Sequence, residues 1–177
     1  TELLVEQAKK HINQSSSVLD LCTGSGAIAI AINKETNAKV VAVDISQDAI
    51  DLAIQNAKNN NANVEFIRSD MFSNLNGQKF DVIISNPPYI KSQDILTLQS
   101  EVKDFEPNLA LDGGEDGFDF YRIIAGNAKN YLNEKGVLLL ECGIGQAQQI
   151  KEMLKGFSKT EILKDYSEIE RIVKAVL

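Results

Sequence analysis

Short runs of apolar residues alternate with stretches in which apolar residues recur every three or four positions. The short runs predict strands, and the helically spaced positions between them predict helices. Strands are predicted at 18–22, 40–43, 64–67, 80–85, 137–140, 160–163 and 169–176. Helices are predicted at 2–13, 27–32, 46–59, 118–131 and 146–154. The alternation indicates an α/β fold, a doubly wound and mostly parallel seven-stranded sheet with helices on both faces.

One stretch, residues 87–117, does not fit this alternation. It holds all three prolines of the chain together with Gly113, Gly114 and Gly117, which is too many breakers for a simple connection. Long loops in compact domains are usually functional, so this loop is a candidate for contacts with a ligand. Because it is polar and contains glycine, we expect residues 90–117 to be mobile when no ligand is bound.

Several polar and glycine residues directly follow predicted strands. Gly24 and Gly26 follow the first strand, and Asp44, Asp70 and Asn86 follow the second, third and fourth. In open parallel sheets, ligands bind beyond the carboxyl ends of the strands. We therefore expect these residues to converge on one edge of the sheet and to form a binding site there.

The first strand leads into a glycine motif that fits Gly-x-Gly-x-x-Gly/Ala, and Asp44 lies 20 positions beyond Gly24. This is the offset at which a carboxylate accepts hydrogen bonds from ribose hydroxyls, although a tight turn with a capping aspartate fits as well. Asp70 could bind an adenine amino group or simply cap a turn. Met71 and Phe72 could flank a purine or belong to the core. The pattern leaves open whether the ligand is a dehydrogenase cofactor or an S-adenosyl compound.

The fourth strand ends in Asn86-Pro87-Pro88-Tyr89. The prolines restrict the backbone, so the Asn86 side chain and the neighbouring carbonyls can be held rigidly at the tip of the strand. Rigid acceptors that grip both N–H bonds of a planar NH₂ group favour pyramidalisation and aim its lone pair at an electrophile. Tyr89 would supply a flat apolar wall. The alternative is a strand that ends at proline and enters a loop.

Charge and cysteine content narrow the function. The 177 residues include 18 Lys and Arg against 25 Asp and Glu, a formal net charge of -7 that gives no support to non-specific binding of nucleic acid or anionic membranes. Cys22 and Cys142 belong to no metal-binding or redox motif and are interpreted as buried thiols. No apolar run approaches the roughly 18 residues of a membrane span. We expect a cytoplasmic protein without a metal site.

Three segments resemble the class I S-adenosylmethionine-dependent methyltransferases: Asp20 to Gly26, Ala42 to Ser46, and Ser85 to Ile90. The chain most resembles the HemK/PrmC family, which methylates a glutamine side-chain nitrogen in peptide chain release factors. The Asn-Pro-Pro-Tyr motif is shared with adenine and guanine methyltransferases. The segment Phe105-Glu106-Pro107, with Ala110-Leu111, Gly113-Gly114 and Asp116-Gly117, carries the more specific likeness, together with Leu140 to Gly143 and Gln146.

The resemblance implies a Rossmann-like fold with an antiparallel last strand and S-adenosyl-L-methionine as cofactor, released as S-adenosyl-L-homocysteine. It implies the glutamine of a Gly-Gly-Gln loop in a class 1 release factor as substrate, its amide held by Asn86 and the Pro87 carbonyl. Pro88 and Tyr89 complete the implied catalytic set. The implied cofactor-binding residues are Cys22, Thr23, Gly24, Ser25, Gly26, Asp44, Asp70, Met71 and Asn86.

The family usually has a helical domain before its methyltransferase domain. We expect residues 1–177 to form the methyltransferase domain and the helical domain to be absent from this chain. Two other functions stay open. One is methylation of an exocyclic amine of RNA or DNA, against which the acidic balance argues, and the other is a non-catalytic, cofactor-binding module that docks on the termination machinery.

Overall fold

The structure of the chain, a computed structural model, describes residues 1–95 and 108–177. The strands among these residues are Ser17–Leu21 (β1), Lys39–Asp44 (β2), Val64–Arg68 (β3), Phe80–Ser85 (β4), Leu132–Glu141 (β5), Lys159–Lys164 (β6) and Glu170–Val176 (β7). They form one sheet in the order β3-β2-β1-β4-β5-β7-β6. β1 to β5 run parallel, whereas β7 is antiparallel to both β5 and β6. The predicted α/β class, the mostly parallel sheet and the antiparallel last strand are confirmed.

Helices connect the strands. In the described ranges they are Glu2–Lys9 (α1), Ala27–Thr36 (α2), Gln47–Asn59 (α3), Ser92–Ile95 (α4), Asn108–Leu111 (α5), Asp119–Tyr131 (α6) and Ala147–Met153 (α7). Ser46 caps α3 as predicted, since its hydroxyl accepts a hydrogen bond from the Ala49 N–H at 3.3 Å. None of these helices combines the length and the apolar character needed to cross a bilayer.

Some boundaries differ from the prediction. α1 ends at Lys9 and not near residue 13, because His11 and Ile12 donate their N–H groups in short turns instead of continuing the helix. β5 begins at Leu132, five residues before the predicted start, because Leu132 pairs with Phe80 despite the polar residues that follow it. The segment Phe105-Glu106-Pro107 and the middle of the loop expected to be mobile lie outside the described residues.

The core lies on both faces of the sheet, because consecutive strand residues point to opposite sides. Leu19 and Leu21 of β1 pack into a cluster with Tyr121 of α6, and this cluster also includes α7. Val18 packs on the other face with Ile28 of α2 and with α1. Each fully buried Leu or Ile contributes about 1.5–3 kcal/mol to folding. Helices packed on both faces leave the edge formed by the strand ends as the place for chemistry.

The register of the parallel strands determines which residues meet at that edge. Leu21 lies opposite Val43 on one side and Ser85 on the other, and Ser85 lies opposite Leu140. The Ser85 hydroxyl also donates a 2.8 Å hydrogen bond to the Leu21 carbonyl. The next residues, in the order of their strands across the sheet, are Asp44, Cys22, Asn86 and Glu141. Neighbouring positions in this row are separated by one strand spacing, about 4.8 Å.

Candidate active site

The loop after β1 is closed by its own backbone and by the next strand. The Thr23 N–H donates to the Val43 carbonyl at 2.9 Å, and the Gly26 N–H donates to the Thr23 carbonyl at 2.9 Å. Gly26 adopts φ +79°, and a Cβ there would lie 3.0 Å from the Ala53 Cβ of α3. Only glycine combines this backbone conformation with such a close helix contact. The loop therefore holds a fixed shape at the start of α2.

Asp44 links this loop to β2. Its Oδ2 accepts a hydrogen bond from the Gly24 N–H at 2.9 Å, and its Oδ1 accepts one from the Ser46 N–H at 3.0 Å. The side chain is half-buried. Each carboxylate oxygen has a second acceptor position, so both stay able to bind a hydroxyl. The structure thus brings Gly24 and Asp44 together at one edge of the sheet, as predicted, and ribose binding by Asp44 stays a prediction.

Asp20 lies beneath the loop and was not among the predicted site residues. Its side chain is fully buried, and its Oδ2 accepts a 2.6 Å hydrogen bond from the Thr23 hydroxyl. Oδ1 makes no hydrogen bond within the described ranges. Burial raises the pKa of Asp20 to about 7, and the neighbouring Asp44 adds to the rise. The sequence signal was a single acidic residue inside an apolar strand.

Two sulfur side chains form one wall of the site. The Cys22 Sγ lies 3.8 Å from the Met71 Sδ, and both residues have positive φ angles. Burial, with the carboxylates of Asp44 and Asp20, raises the pKa of the Cys22 thiol to about 12. The thiol is therefore neutral near pH 7, which argues against a nucleophilic role. Burial likewise raises the pKa of Cys142 to about 12. Cys142 is buried, as predicted for both cysteines, whereas Cys22 is half-buried.

Asp70 and Phe72 lie two positions apart in the segment after β3, but their surroundings differ. Asp70 is exposed, and its backbone carbonyl accepts the Ser73 N–H at 3.0 Å. Phe72 is buried and stacks on Tyr131, with ring centroids 4.7 Å apart. Phe72 therefore belongs to the core, which was one of its two interpretations. Asp70 stays available to a ligand, and its role in binding adenine stays a prediction.

Asn86-Pro87-Pro88-Tyr89 occupies the edge beside Cys22. Both prolines are buried, whereas Asn86 and Tyr89 are half-buried. The Asn86 Nδ2 donates to the Thr1 hydroxyl at 3.4 Å. Within residues 1–95 and 108–177, the Asn86 Oδ1 accepts no hydrogen bond, so among these residues it is left to accept one from a ligand. A cavity of about 300 Å³ opens beside Tyr89, and its wall includes Glu141 and Arg171.

The long loop after Tyr89 returns to the same edge. The Ile90 N–H donates to the Leu111 carbonyl at 3.0 Å, and the Gly113 N–H donates to the Ile90 carbonyl at 2.8 Å. The two described ends of the loop are thus paired with each other beside the Asn-Pro-Pro-Tyr segment. A group of three or more His, Cys, Asp or Glu side chains placed to hold a metal ion does not occur in the described parts of the chain.

A family model described as the methyltransferase small domain matches residues 1–113. The chain belongs to this family. The match runs from α1 through the glycine loop, Asp44 and the Asn-Pro-Pro-Tyr segment to Gly113. The edge described above is therefore the candidate active site of a methyltransferase small domain.

Curated relatives of this methyltransferase domain are similar over most of its length. The release factor glutamine methyltransferase of Geobacter sulfurreducens is 44% identical over 176 residues, which cover 98% of this chain and 62% of the relative. The ribosomal protein uL3 glutamine methyltransferase of Francisella tularensis is 48% identical over 138 residues, 76% of this chain and 44% of the relative. The chain thus spans less than two thirds of the length of either protein.

Solved structures show the same fold. A 16S rRNA methyltransferase of T. thermophilus, determined in complex with AdoMet and guanosine, matches this methyltransferase domain with a TM-score of 0.70 at 21% sequence identity. The match covers 98% of this chain and 42% of that protein. At this identity the likeness establishes the fold.

Proposed function

We propose that this methyltransferase domain transfers a methyl group from S-adenosylmethionine to the side-chain amide nitrogen of a glutamine. The observation that carries the proposal is the row of residues along the sheet edge. Asp44 is the last residue of β2, and Cys22 and Asn86 directly follow the adjacent strands β1 and β4, which are in register. The backbone positions of the carboxylate proposed to bind ribose and of the carboxamide proposed to orient the amide are therefore two strand spacings apart, about 10 Å.

The residues on the β1 and β2 side suit the cofactor. The carboxylate of Asp44 keeps acceptor positions for the two ribose hydroxyls. A Cβ at Gly24 would meet nothing within 4 Å, so the backbone there is open to a close ligand. Cys22 and Met71 offer soft, polarizable sulfur atoms to the apolar parts of the ligand. When bound, S-adenosylmethionine supplies an electrophilic methyl carbon on a sulfonium.

The residues on the β4 side suit an amide nitrogen. The free Oδ1 of Asn86 and the carbonyl of Pro87 would accept the two N–H bonds of the substrate side chain. An amide nitrogen is a poor nucleophile because its lone pair is delocalised, and two fixed acceptors hold it in a geometry that exposes the lone pair. As the nitrogen forms its bond to the methyl carbon, the bond between that carbon and the sulfonium sulfur breaks, S-adenosylhomocysteine leaves, and the nitrogen gives up one proton to solvent. Tyr89 would provide the apolar wall beside it.

We propose a class 1 release factor as the substrate protein and the cytoplasm as the place of the reaction. The support is the similarity to release factor glutamine methyltransferases over nearly the whole chain. A glutamine of ribosomal protein uL3 is the second candidate, because the relative named for that substrate is 48% identical over the part it shares. Both candidates require the same chemistry at Asn86.

Transfer of labelled methyl from S-adenosylmethionine tests the proposal. The complete protein is incubated separately with a class 1 release factor, with ribosomal protein uL3 and with total RNA. We expect label in the release factor and none when the glutamine of its Gly-Gly-Gln loop is replaced by alanine.

Each other outcome identifies a different function. Label in uL3 alone would change the substrate but not the reaction. Label in RNA alone would contradict glutamine methylation and indicate an exocyclic amine. Cofactor binding with no transfer to any acceptor would indicate a non-catalytic module.

A further inference from the structure

Gln146 joins three loops at the active-site edge. It immediately precedes α7, and its side chain is half-buried. Its Oε1 accepts the Gly143 N–H at 2.9 Å. Its Nε2 donates to the Tyr89 carbonyl at 3.0 Å and to the Gly117 carbonyl at 3.1 Å. A single amide thus ties the Asn-Pro-Pro-Tyr segment to the end of the long loop and to the turn after β5.

Glycines surround this amide and Tyr89 without room for a side chain. A Cβ at Gly117 would lie 2.6 Å from the Tyr89 carbonyl oxygen and 2.9 Å from the Gln146 Nε2. A Cβ at Gly143 would lie 2.8 Å from the Gln146 Oε1 and 3.0 Å from the Tyr89 ring. A Cβ at Gly113 would lie 2.8 Å from the Tyr89 Cα. Three backbone segments therefore pack directly on Tyr89, and Gln146 supplies the hydrogen bonds among them.

The amide of Gln146 is chemically suited to this task. Tyr89 and Gly117 offer carbonyl acceptors and Gly143 offers an N–H donor, so the side chain needs two donors and one acceptor in one plane. Glutamine supplies these two donors and one acceptor without a charge. A charged side chain would be costly to bury at this partly buried position. A methionine of similar length would fill the space but leave all three backbone groups without their partner.

We propose that Gln146 is a positioning residue for methyl transfer, acting through the carbonyl of Tyr89 on the acceptors of Asn86 and Pro87. The proposal rests on the proposed function. Tyr89 lies two residues after Pro87. Because the proline rings restrict the backbone between them, a shift of the Tyr89 carbonyl also shifts Asn86 and the Pro87 carbonyl. A small displacement of groups that orient a reacting atom lowers turnover strongly, whereas ligand affinity depends on many contacts.

The test compares Gln146→Met with Gln149→Met, an exposed glutamine on α7, in the complete protein. For Gln146→Met we expect kcat to fall on the order of tenfold or more, with the affinity for S-adenosylmethionine within about twofold of wild type. Hydrogen exchange of a peptide that covers residues 86–91 should become faster. Gln149→Met should change neither the turnover nor the exchange.

A second variant keeps the test decisive if Gln146→Met does not fold. Gly117→Ala keeps the Gln146 side chain but places a Cβ against both the Tyr89 carbonyl oxygen and the Gln146 Nε2, so it should also lower kcat more than cofactor affinity. Normal kcat in a folded Gln146→Met protein, or equal losses of kcat and cofactor affinity, would overturn the positioning role. If the wild-type protein transfers no methyl group to a glutamine, the proposed function fails. If the wild type is active and Gln146→Met is equally active, only the positioning role fails.

Discussion

The two halves of the active-site edge are built in different ways. The bonds within the donor side, which consists of residues 22–26 with Asp44, join residues at most 20 positions apart, and Asn56 adds one bond to the Ser25 carbonyl across 31 positions. The acceptor side, which consists of residues 86–89 with Gly117 and Gln146, is held by bonds that span 57 and 29 positions. The donor side is thus shaped by a local motif, whereas the acceptor side exists only when distant parts of the chain have packed together.

This difference has a physical consequence. Directly beneath the donor side lies Asp20, which is buried without full hydrogen bonding, so this part of the edge carries a cost in stability that depends on pH. On the acceptor side, uncharged amide and carbonyl groups make the hydrogen bonds, and glycines make the closest contacts. Changes on the donor side should therefore alter stability and cofactor affinity, and changes on the acceptor side should alter turnover.

The largest expected effect concerns Asp20. Its pKa of about 7 exceeds the usual 3.8, so the folded state retains a proton that the unfolded chain releases between about pH 4 and 7. The free energy of unfolding of the wild type should therefore fall relative to Asp20→Asn as pH rises through that window, by up to about 4 kcal/mol. Urea unfolding at a series of pH values measures the difference.

Asp81 supplies a matched control for this prediction. Burial alone would raise its pKa, but hydrogen bonds from Ser17 and Asn133 outweigh burial and lower it. The ionised Asp81 side chain therefore stabilises the fold at pH values above the pKa that it has in the unfolded chain. This stabilisation is lost only as the pH falls through its lower pKa in the folded protein. Asp81→Asn should therefore change the stability by a constant amount between pH 5 and 7. A pH-independent difference for Asp20→Asn would contradict a raised pKa.

The next effect tests the acceptor side. Asn86→Ala removes the proposed acceptor of the substrate amide, so turnover should fall on the order of 100-fold, about 2.7 kcal/mol in the barrier. The affinity for S-adenosylmethionine should change much less, as measured by calorimetry. Asn127→Ala, on the exposed face of α6, serves as the control. Near-normal turnover of Asn86→Ala would remove Asn86 from the mechanism.

On the donor side, Asp44→Ala should weaken S-adenosylmethionine binding at least tenfold, about 1.4 kcal/mol. The variant loses the acceptor proposed for the ribose and also the bonds to the Gly24 and Ser46 N–H groups. Calorimetric titration measures the change, with Asp48→Ala in the exposed first turn of α3 as the comparison. If both variants bind the cofactor equally well, the ribose assignment is wrong.

The smallest expected effect concerns an exposed apolar side chain next to the acceptor side. Ile144 is 72% exposed and follows Gly143, which packs on Tyr89. A substrate polypeptide that reaches Asn86 would cover Ile144, so Ile144→Ser should raise KM for the protein substrate about threefold to fivefold and leave kcat unchanged. Ile54→Ser, at 49% exposure on α3, is the control. Equal KM values for the two variants would exclude Ile144 from substrate docking.

The sequence predicted the donor side better than the acceptor side because of how each is built. The spacing of Gly24 and Asp44 reflects one strand, one helix and a second strand, so their contact follows from local order. The position of Asn86 at the edge also followed from strand order. The three bonds of Gln146 depend on the packing of loops far apart in the chain, and no local pattern indicates them.

Two other features show what local patterns leave out. Asp20 carried a visible signal, a charge within an apolar strand, but its burial and raised pKa become evident only when α2 and the glycine loop cover it. β5 extends back to Leu132 because Phe80 offers a partner there, although the residues after Leu132 are polar. Pairing with a neighbour decided the length of this strand, and its own hydropathy did not.

The antiparallel β7 also has a bearing on how the protein is made. It emerges from the ribosome after β1 to β6, yet it pairs with β5, whose Leu138, Leu139 and Leu140 are fully buried. Until residues 170–176 emerge, β5 has one edge with unpaired backbone N–H and C=O groups, which can pair with strands of other chains. Nascent chains stalled before that point should therefore aggregate or engage chaperones.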